Sequence, residues 1–302
     1  MILIGENIHI ISQKVKSALE NKDENFVKNL LKFQQNFEVI DLNVGPAKGK
    51  LDNIFEWLLS LCEGQKISFD SSNIDAIEKA LKIVNNPSDC FINSTNADDE
   101  KLERLTDLAL KYDCNLIALA MSKDSGIPKK SDGRMELVFK IYEKCMEKGI
   151  SSDKIFFDPL VLPLKADQSQ GVEVIDTIKM IKESFEPAVG TIIGLSNISN
   201  GVENQYRAMI NRVFAVLCHG AGLDCMIADA KDEELYRIIK MLECNNPQSD
   251  VDKLYINLSN MVQYFGKVQD VEFDKNDIQQ TNIIKTVKVL LNEEVYSARL
   301  YV

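Results

Sequence analysis

Histidine is nearly missing from this chain: His9 and His219 are the only two, and they lie far apart. The seven cysteines, Cys62, Cys90, Cys114, Cys145, Cys218, Cys225 and Cys244, form no C-x-x-C pair. No His/Cys zinc site is therefore expected. An odd cysteine count and no secretory signal point to a reducing cytoplasm. Basic surplus is missing too, with a net charge of -11 and a pI near 4.9. Nucleic acid needs a basic face, so it is not an expected partner. A small anion needs only local donors. No apolar run approaches the length of a membrane span, so none is expected. The opening MILIGENIHII has no basic n-region and is broken by Glu6 and Asn7, so it reads as a strand and not a signal peptide. No internal repeat and no low-complexity tract is visible.

What is present is 45% hydrophobic and 27% charged residues over 302 positions, enough to bury a full core. Eight short apolar runs read as strands: Ile2 to Ile4, Phe37 to Leu42, Ile67 to Phe69, Cys90 to Ile92, Leu116 to Ala120, Ile155 to Phe157, Thr191 to Leu195 and Asp224 to Ala228. They are nearly continuous and not alternating, as in parallel strands covered on both faces. Helical spacing separates them, as in Phe26/Leu30/Phe33, Ile74/Ile77/Leu81 and Leu102/Leu105/Ala109, with Ser72 or Asn73 as an N-cap. The rhythm of about 25 to 40 residues per unit fits an α/β fold of the (β/α)8 TIM-barrel type. A doubly wound sheet is the alternative, but no G-x-G-x-x-G follows the first strand. Residues 1–302 are expected to form a single barrel domain. The segment 245–280, rich in Asp, Asn and Gln, breaks the rhythm and reads as an insertion before the C-terminal helix of Ile283, Val287, Leu290 and Leu291.

In such a barrel the chemistry sits where the strands end. The residues following the runs are Glu6, Asn43, Asp70, Asn93, Ser122 with Lys123, Asp158, Asn197 and Asp229. Each alone is an ordinary turn or cap residue. As a set they would converge on one mouth. No histidine ends a strand, which removes the usual neutral-pH base. No lysine does either, apart from Lys123 in a long polar loop, which argues against Schiff-base chemistry. Asp and Asn without His suit a hydrogen-bond-dense heterocycle, whose adjacent N–H groups one carboxylate accepts in pairs. A divalent metal is the competing reading, weakened by the amides.

The segments DLNVGP (Asp41 to Pro46), FDSSN (Phe69 to Asn73), INSTNA (Ile92 to Ala97), SGIPK (Ser125 to Lys129), FDPLVLP (Phe157 to Pro163) and GLSNIS (Gly194 to Ser199) resemble those of the pterin-binding methyltransferases. The resemblance is to the methyltetrahydrofolate:corrinoid protein methyltransferases. It runs in order from the first strand to about Ala230 and resumes in the final helix; the 245–280 segment lies outside it. It implies a pterin-binding TIM barrel acting as a homodimer, with tetrahydrofolate or 5-methyltetrahydrofolate as substrate. It also implies a corrinoid (cobalamin) carried by a partner protein, and no metal of the barrel's own. By resemblance, Asp70, Asn93 and Asp158 hold the pterin ring, and Asn197 reaches N5. Ser196, Asn43 and Arg207 line or support the site. Ser122 departs from the family pattern, which has a polar amide there. A dihydropteroate synthase-like enzyme and a non-catalytic folate-binding barrel remain alternatives. The former needs basic residues near the last strands, and Asp229-Ala230-Lys231 supplies no strong cluster. The direction of methyl transfer is left open.

Overall fold

In the computed structural model, which describes residues 1–62 and 64–297, the eight apolar runs become eight parallel strands. They are β1 (Ile2–His9), β2 (Val39–Gly45), β3 (Lys66–Ser71), β4 (Phe91–Thr95), β5 (Asn115–Leu119), β6 (Ile155–Asp158), β7 (Gly190–Gly194) and β8 (Cys225–Ala228). Each pairs with its sequence neighbour, and β8 closes on β1 through Ile2 with Cys225 and Ile4 with Ile227. The fold is a closed (β/α)8 barrel. The doubly wound alternative is set aside by that closure, because an open sheet leaves two edges.

Helices wrap the outside: α1 (Gln13–Glu20), α2 (Glu24–Phe33), α3 (Ile54–Leu59), α4 (Ile74–Ile83), α5 (Asp99–Tyr112), α6 (Ser131–Lys148), α7 (Gln170–Ser184), α8 (Asn204–Gly220), α9 (Glu233–Cys244), α10 (Asp250–Gln263) and α11 (Ile278–Leu290). Local chemistry explains where they start. The Asn73 carbonyl accepts from the Ala76 N–H at 3.2 Å and caps α4, which buries Ile77, Ala80 and Leu81. One expected face is rotated. Helix α2 buries Val27, Leu30 and Leu31, whereas Phe33 is 56% exposed, because the i, i+3, i+4 set meets the sheet.

Helix α9 completes the eighth unit, so residues 245–280 begin only after the barrel has closed. Their helix α10 is capped by Ser249 and buries Leu254, Tyr255, Leu258, Met261 and Val262. It lies across α8, where Gly220 permits the crossing: a Cβ there would stand 2.1 Å from the Ser259 carbonyl oxygen. His219 is bound to the Ser259 hydroxyl at 2.9 Å, a packing role on the barrel's exterior. Among the described residues no helix is long and apolar enough to cross a membrane.

Inside the barrel, Ile4, Val39, Phe91, Ile117, Phe156, Ile192 and Cys225 form a plug. Its Phe91 and Phe156 rings stand 5.1 Å apart. Side chains alternate along a strand, so the next inward position lies two residues on. That step turns Ile4 into Glu6, Val39 into Asp41, Phe91 into Asn93 and Phe156 into Asp158. On these four strands the inward face changes from apolar to polar at one level, where the plug ends and the mouth begins, while Ile117, Ile192 and Cys225 are followed by Leu119, Gly194 and Ile227.

Candidate active site

The mouth is a cavity of about 1190 Å³ over the C-terminal strand ends. Asn43, Asp70, Asn93, Asp158, Ser196, Asn197 and Arg207 all line it. Ser122 and Lys123 do not. The Ser122 hydroxyl bonds Ser125 at 2.8 Å within its own turn, and the Lys123 N–H donates to Asp98 at 2.7 Å.

Residues outside the expected set line it too. Asp41 sits one pleat below Asn43, while Glu6, expected at the mouth, lines it within β1 and accepts from the Ser196 hydroxyl. The signal of Asp41 was the period-2 step inside an apolar run, which reading only the residues after each run overlooks. His9 corrects the expectation of no strand-end histidine. Strand β1 runs on past Glu6 and Asn7, with an irregular register between Gly5 and Ile8, and ends at His9 in the cavity. Burial lowers the His9 pKa, although Asp229 opposes that shift. The far wall is one face of α8, through Asn204, Arg207, Ala208 and Asn211, facing Asp232 to Leu235. Cations near the last strands were not expected as a cluster, yet Arg207, Arg212 and Lys231 all line this side. Each is engaged. Arg212 grips Asp232 with two nitrogens at 3.0 and 2.6 Å, Arg207 donates to Ser199 at 3.2 Å, and Lys231 lies over the Phe33 ring.

The β2–β4 wall is a hydrogen-bonded sheet of side chains. Asn43 donates its amide to Asp70. Asp41 accepts from the Ser68 hydroxyl at 2.6 Å and the Asn93 amide at 3.2 Å. Those bonds fix which way each amide points, leaving the opposite edges toward the cavity. Asp158 accepts from the Leu160 N–H at 2.7 Å.

Asn197 does not sit on the strand itself. Strand β7 stops at Gly194, and residues Leu195–Ser199 form one 3-10 turn. The turn carries the Asn197 amide back over Gly194, where a Cβ would stand 3.1 Å from its nitrogen. Glycine leaves that room. The Asn197 carbonyl oxygen accepts from the Asn200 amide at 3.3 Å.

Four of the carboxyls that line this cavity have their protonation favoured by burial. Burial pushes Glu6 up to about 7, against the Ser196 hydroxyl that donates to it; Asp229 and Asp41 add to the rise and Arg207 opposes it. Burial likewise pushes Asp158 up to about 7, with the Leu160 N–H and the Arg134 charge pulling down. Asp41 and Asp70 are both raised by burial, Asp70 further by the charge of Asp41. Such groups hold or release protons near neutrality, the work the sequence denied to histidine. Among the described residues no group of three or more His, Cys, Asp and Glu is arranged to hold a metal.

A polar mouth with paired amides and carboxyls on a parallel barrel is matched by a family model described as "Pterin binding enzyme", over residues 38–229. The chain belongs to the pterin-binding enzyme family. The methylcorrinoid:tetrahydrofolate methyltransferase of Eubacterium limosum is 24% identical over 241 residues, 78% of this chain and 87% of that protein. The methionine synthase of Mycobacterium leprae is 28% identical over 174 residues, 54% of this chain but only 14% of that much longer protein. Among solved structures, the dihydropteroate synthase of Yersinia pestis superposes with a TM-score of 0.55 at 17% identity, over 80% of this chain and 93% of that one. That likeness shows the shared barrel alone. One methyltransferase is thus similar to this chain over most of its length.

Proposed function

We propose that this protein moves a methyl group between N5 of tetrahydrofolate and the cobalt of a corrinoid held by a partner protein. The reading is supported by the family, by the methyltransferase relative and by one observation above the rest. Asn197 stands on its own turn over Gly194, in the same cavity as four carboxyls whose pKa values burial raises. A binding protein would have no need of an amide placed apart from the ring-binding wall.

On this reading Asp70, Asn93 and Asp158 take the pterin's hydrogen-bonding edge, and Asn43 holds Asp70 in place. The amine N5 is a poor leaving group. When its bond to the methyl carbon breaks, N5 keeps the electron pair and must take up a proton. The methyl carbon receives a new pair from the reduced corrinoid, which is a substrate here. Asn197 can donate to or accept from N5 in either protonation state, so it stabilises the nitrogen as the proton arrives. Glu6, neutral in part near pH 7 and bonded to the neighbouring Ser196, is the group suited to store that proton. Either direction of transfer uses the same contacts.

The test is methyl transfer between methyltetrahydrofolate and cob(I)alamin, free and protein-bound. Turnover is expected with at least the protein-bound form. Folate binding without turnover in either would leave a non-catalytic folate carrier. The cations Arg207, Arg212 and Lys231 favour a second reading, a dihydropteroate synthase-like condensation. Product from a dihydropterin pyrophosphate and aminobenzoate would establish it instead. We further propose that residues 1–302 act as one domain in a homodimer, with 245–280 as its accessory segment; light scattering of the purified protein checks the dimer.

A further inference from the structure

At about 1190 Å³ the cavity lies above the range of about 300–1,000 Å³ that holds one drug-sized ligand. Beyond the ring-binding wall it runs on as a groove between α8 and the turn that leads from β8 into α9. The Arg212–Asp232 pair joins the two sides. On the α8 side Asn204, Ala208 and Asn211 follow at i, i+4 and i+7 and share one face. Two amides thus stand about 10 Å apart along the helix axis, with only a methyl side chain between them. The Asn211 carbonyl oxygen is buried and has no hydrogen-bond partner. An amide so placed costs the fold stability, which a leucine of similar size would not.

The opposite side decides what charge the groove accepts. Asp229, Asp232, Glu233 and Glu234 line it. The lining cations are each engaged: Arg212 grips Asp232 at 2.6 Å, Arg207 donates to Ser199 at 3.2 Å, and Lys231 lies over the Phe33 ring. A ligand arm bearing carboxylates would meet acids whose neighbouring cations are already taken. The groove suits a neutral arm that both donates and accepts. A carboxamide does this, because it can pair with the Asn211 amide whichever way that amide is turned.

We propose that this groove is the subsite for an amide-bearing arm of the corrin ring, with Asn211 pairing to the arm's terminal carboxamide. This rests on the methyl-transfer reading. A corrin carries neutral acetamide and propionamide arms around its edge, and the ring must lie over the mouth for its cobalt to meet the methyl carbon. One arm lowered beside α8 anchors the ring there, by a contact made equally before and during the transfer. The aminobenzoyl-glutamate end of folate is the competing occupant, and its carboxylates would face the acids of the groove.

Steady-state methyl transfer by the full chain tests this, at saturating methyltetrahydrofolate with cob(I)alamin as the varied acceptor, free or carried by its partner protein, whichever turns over. Asn211→Leu should raise the cobalamin KM about tenfold, the loss of one or two hydrogen bonds, and leave kcat nearly unchanged. Methyltetrahydrofolate affinity by calorimetry should not change, and the melting temperature should hold or rise because an unpaired amide is gone. Ala208→Leu fills the gap between the two amides and should raise the same KM; it also serves if Asn211→Leu does not fold. An unchanged cobalamin KM in folded Asn211→Leu, or in Ala208→Leu if only that variant folds, would sink the proposal. So would a KM rise matched by an equal loss of folate affinity, which would give the groove to the folate tail. A parent protein that transfers no methyl group to either form of cob(I)alamin would sink the methyl-transfer reading itself, a different result.

Discussion

The two ends of this barrel use the same residue types and treat them oppositely. At the N-terminal end Asp224 is fully partnered. It pairs with Lys182 at 2.9 Å and accepts from the Thr191 N–H and hydroxyl at 2.7 and 2.9 Å. Lys154 there donates to the Ser88 and Asp113 carbonyls, both at 2.9 Å. At the C-terminal end Asp41 and Asp158 are buried and Glu6 and Asp70 half-buried, and among the described residues none of them forms an ion pair. They meet amides, hydroxyls and one backbone N–H instead. A carboxylate paired with a cation stabilises the fold and is finished. A buried carboxyl without one keeps its need for a donor or a proton, and a ligand can meet that need. The difference separates groups that hold the barrel from groups that wait for a substrate.

Substitutions at each end should therefore fail in different ways. The largest effect is expected at Asn197. Asn197→Ala removes a transition-state donor and should slow methyl transfer by about a hundredfold, roughly 3 kcal/mol, while folate binding changes much less. Equal losses in rate and affinity would make Asn197 a binding residue only. Next is Asp158→Asn, which keeps the shape but replaces an acceptor with a donor facing the pterin's donors. Folate affinity should fall by about tenfold or more, read by calorimetry at pH 8 where the parent Asp158 is ionised. Unchanged affinity would remove it from the site. At the opposite end, Asp224→Ala removes the carboxylate partner of Lys182, which keeps only the Val189 carbonyl, and of the Thr191 N–H. It should cost about 1–3 kcal/mol of stability in urea, with transfer kinetics unchanged in the folded protein. Impaired kinetics there would blur the contrast between the two ends.

The smallest effect is in the pH dependence of stability. A carboxyl whose pKa is raised on folding stabilises the protein fully below its unfolded value of about 4.5. That contribution is lost as pH rises through about 7. The ligand-free protein should thus weaken from pH 5 to pH 8. Glu6→Gln cannot ionise and should reduce that weakening by about 1–2 kcal/mol, seen as converging melting temperatures at the acid and neutral limits. A parallel pH profile in the variant would show that Glu6 is ionised throughout.

Particular residues show how far the sequence could be read. Asn73 announced its helix because a cap is a local event: one side chain and an N–H three residues on. The eight runs announced eight strands because burial on both faces leaves a continuous apolar stretch. Asp41 hid inside such a stretch, since nothing local says which side of a strand faces inward. His9 hid because two polar residues seemed to end β1 before it. Arg212, Asn204 and Asn211 carried no signal at all, because they reach the mouth only through the angle at which α8 leaves β7.

By itself the sequence determined the barrel, through the period of its apolar runs, and the family, through six polar motifs kept in order. Only the tertiary structure decided which polar groups share a cavity and which of them have partners. Closing the sheet brings residues far apart in the chain, such as Glu6 and Ser196, into one hydrogen bond. Burial of these carboxyls, a property of the assembled mouth, raises their pKa values above the ordinary carboxylate range.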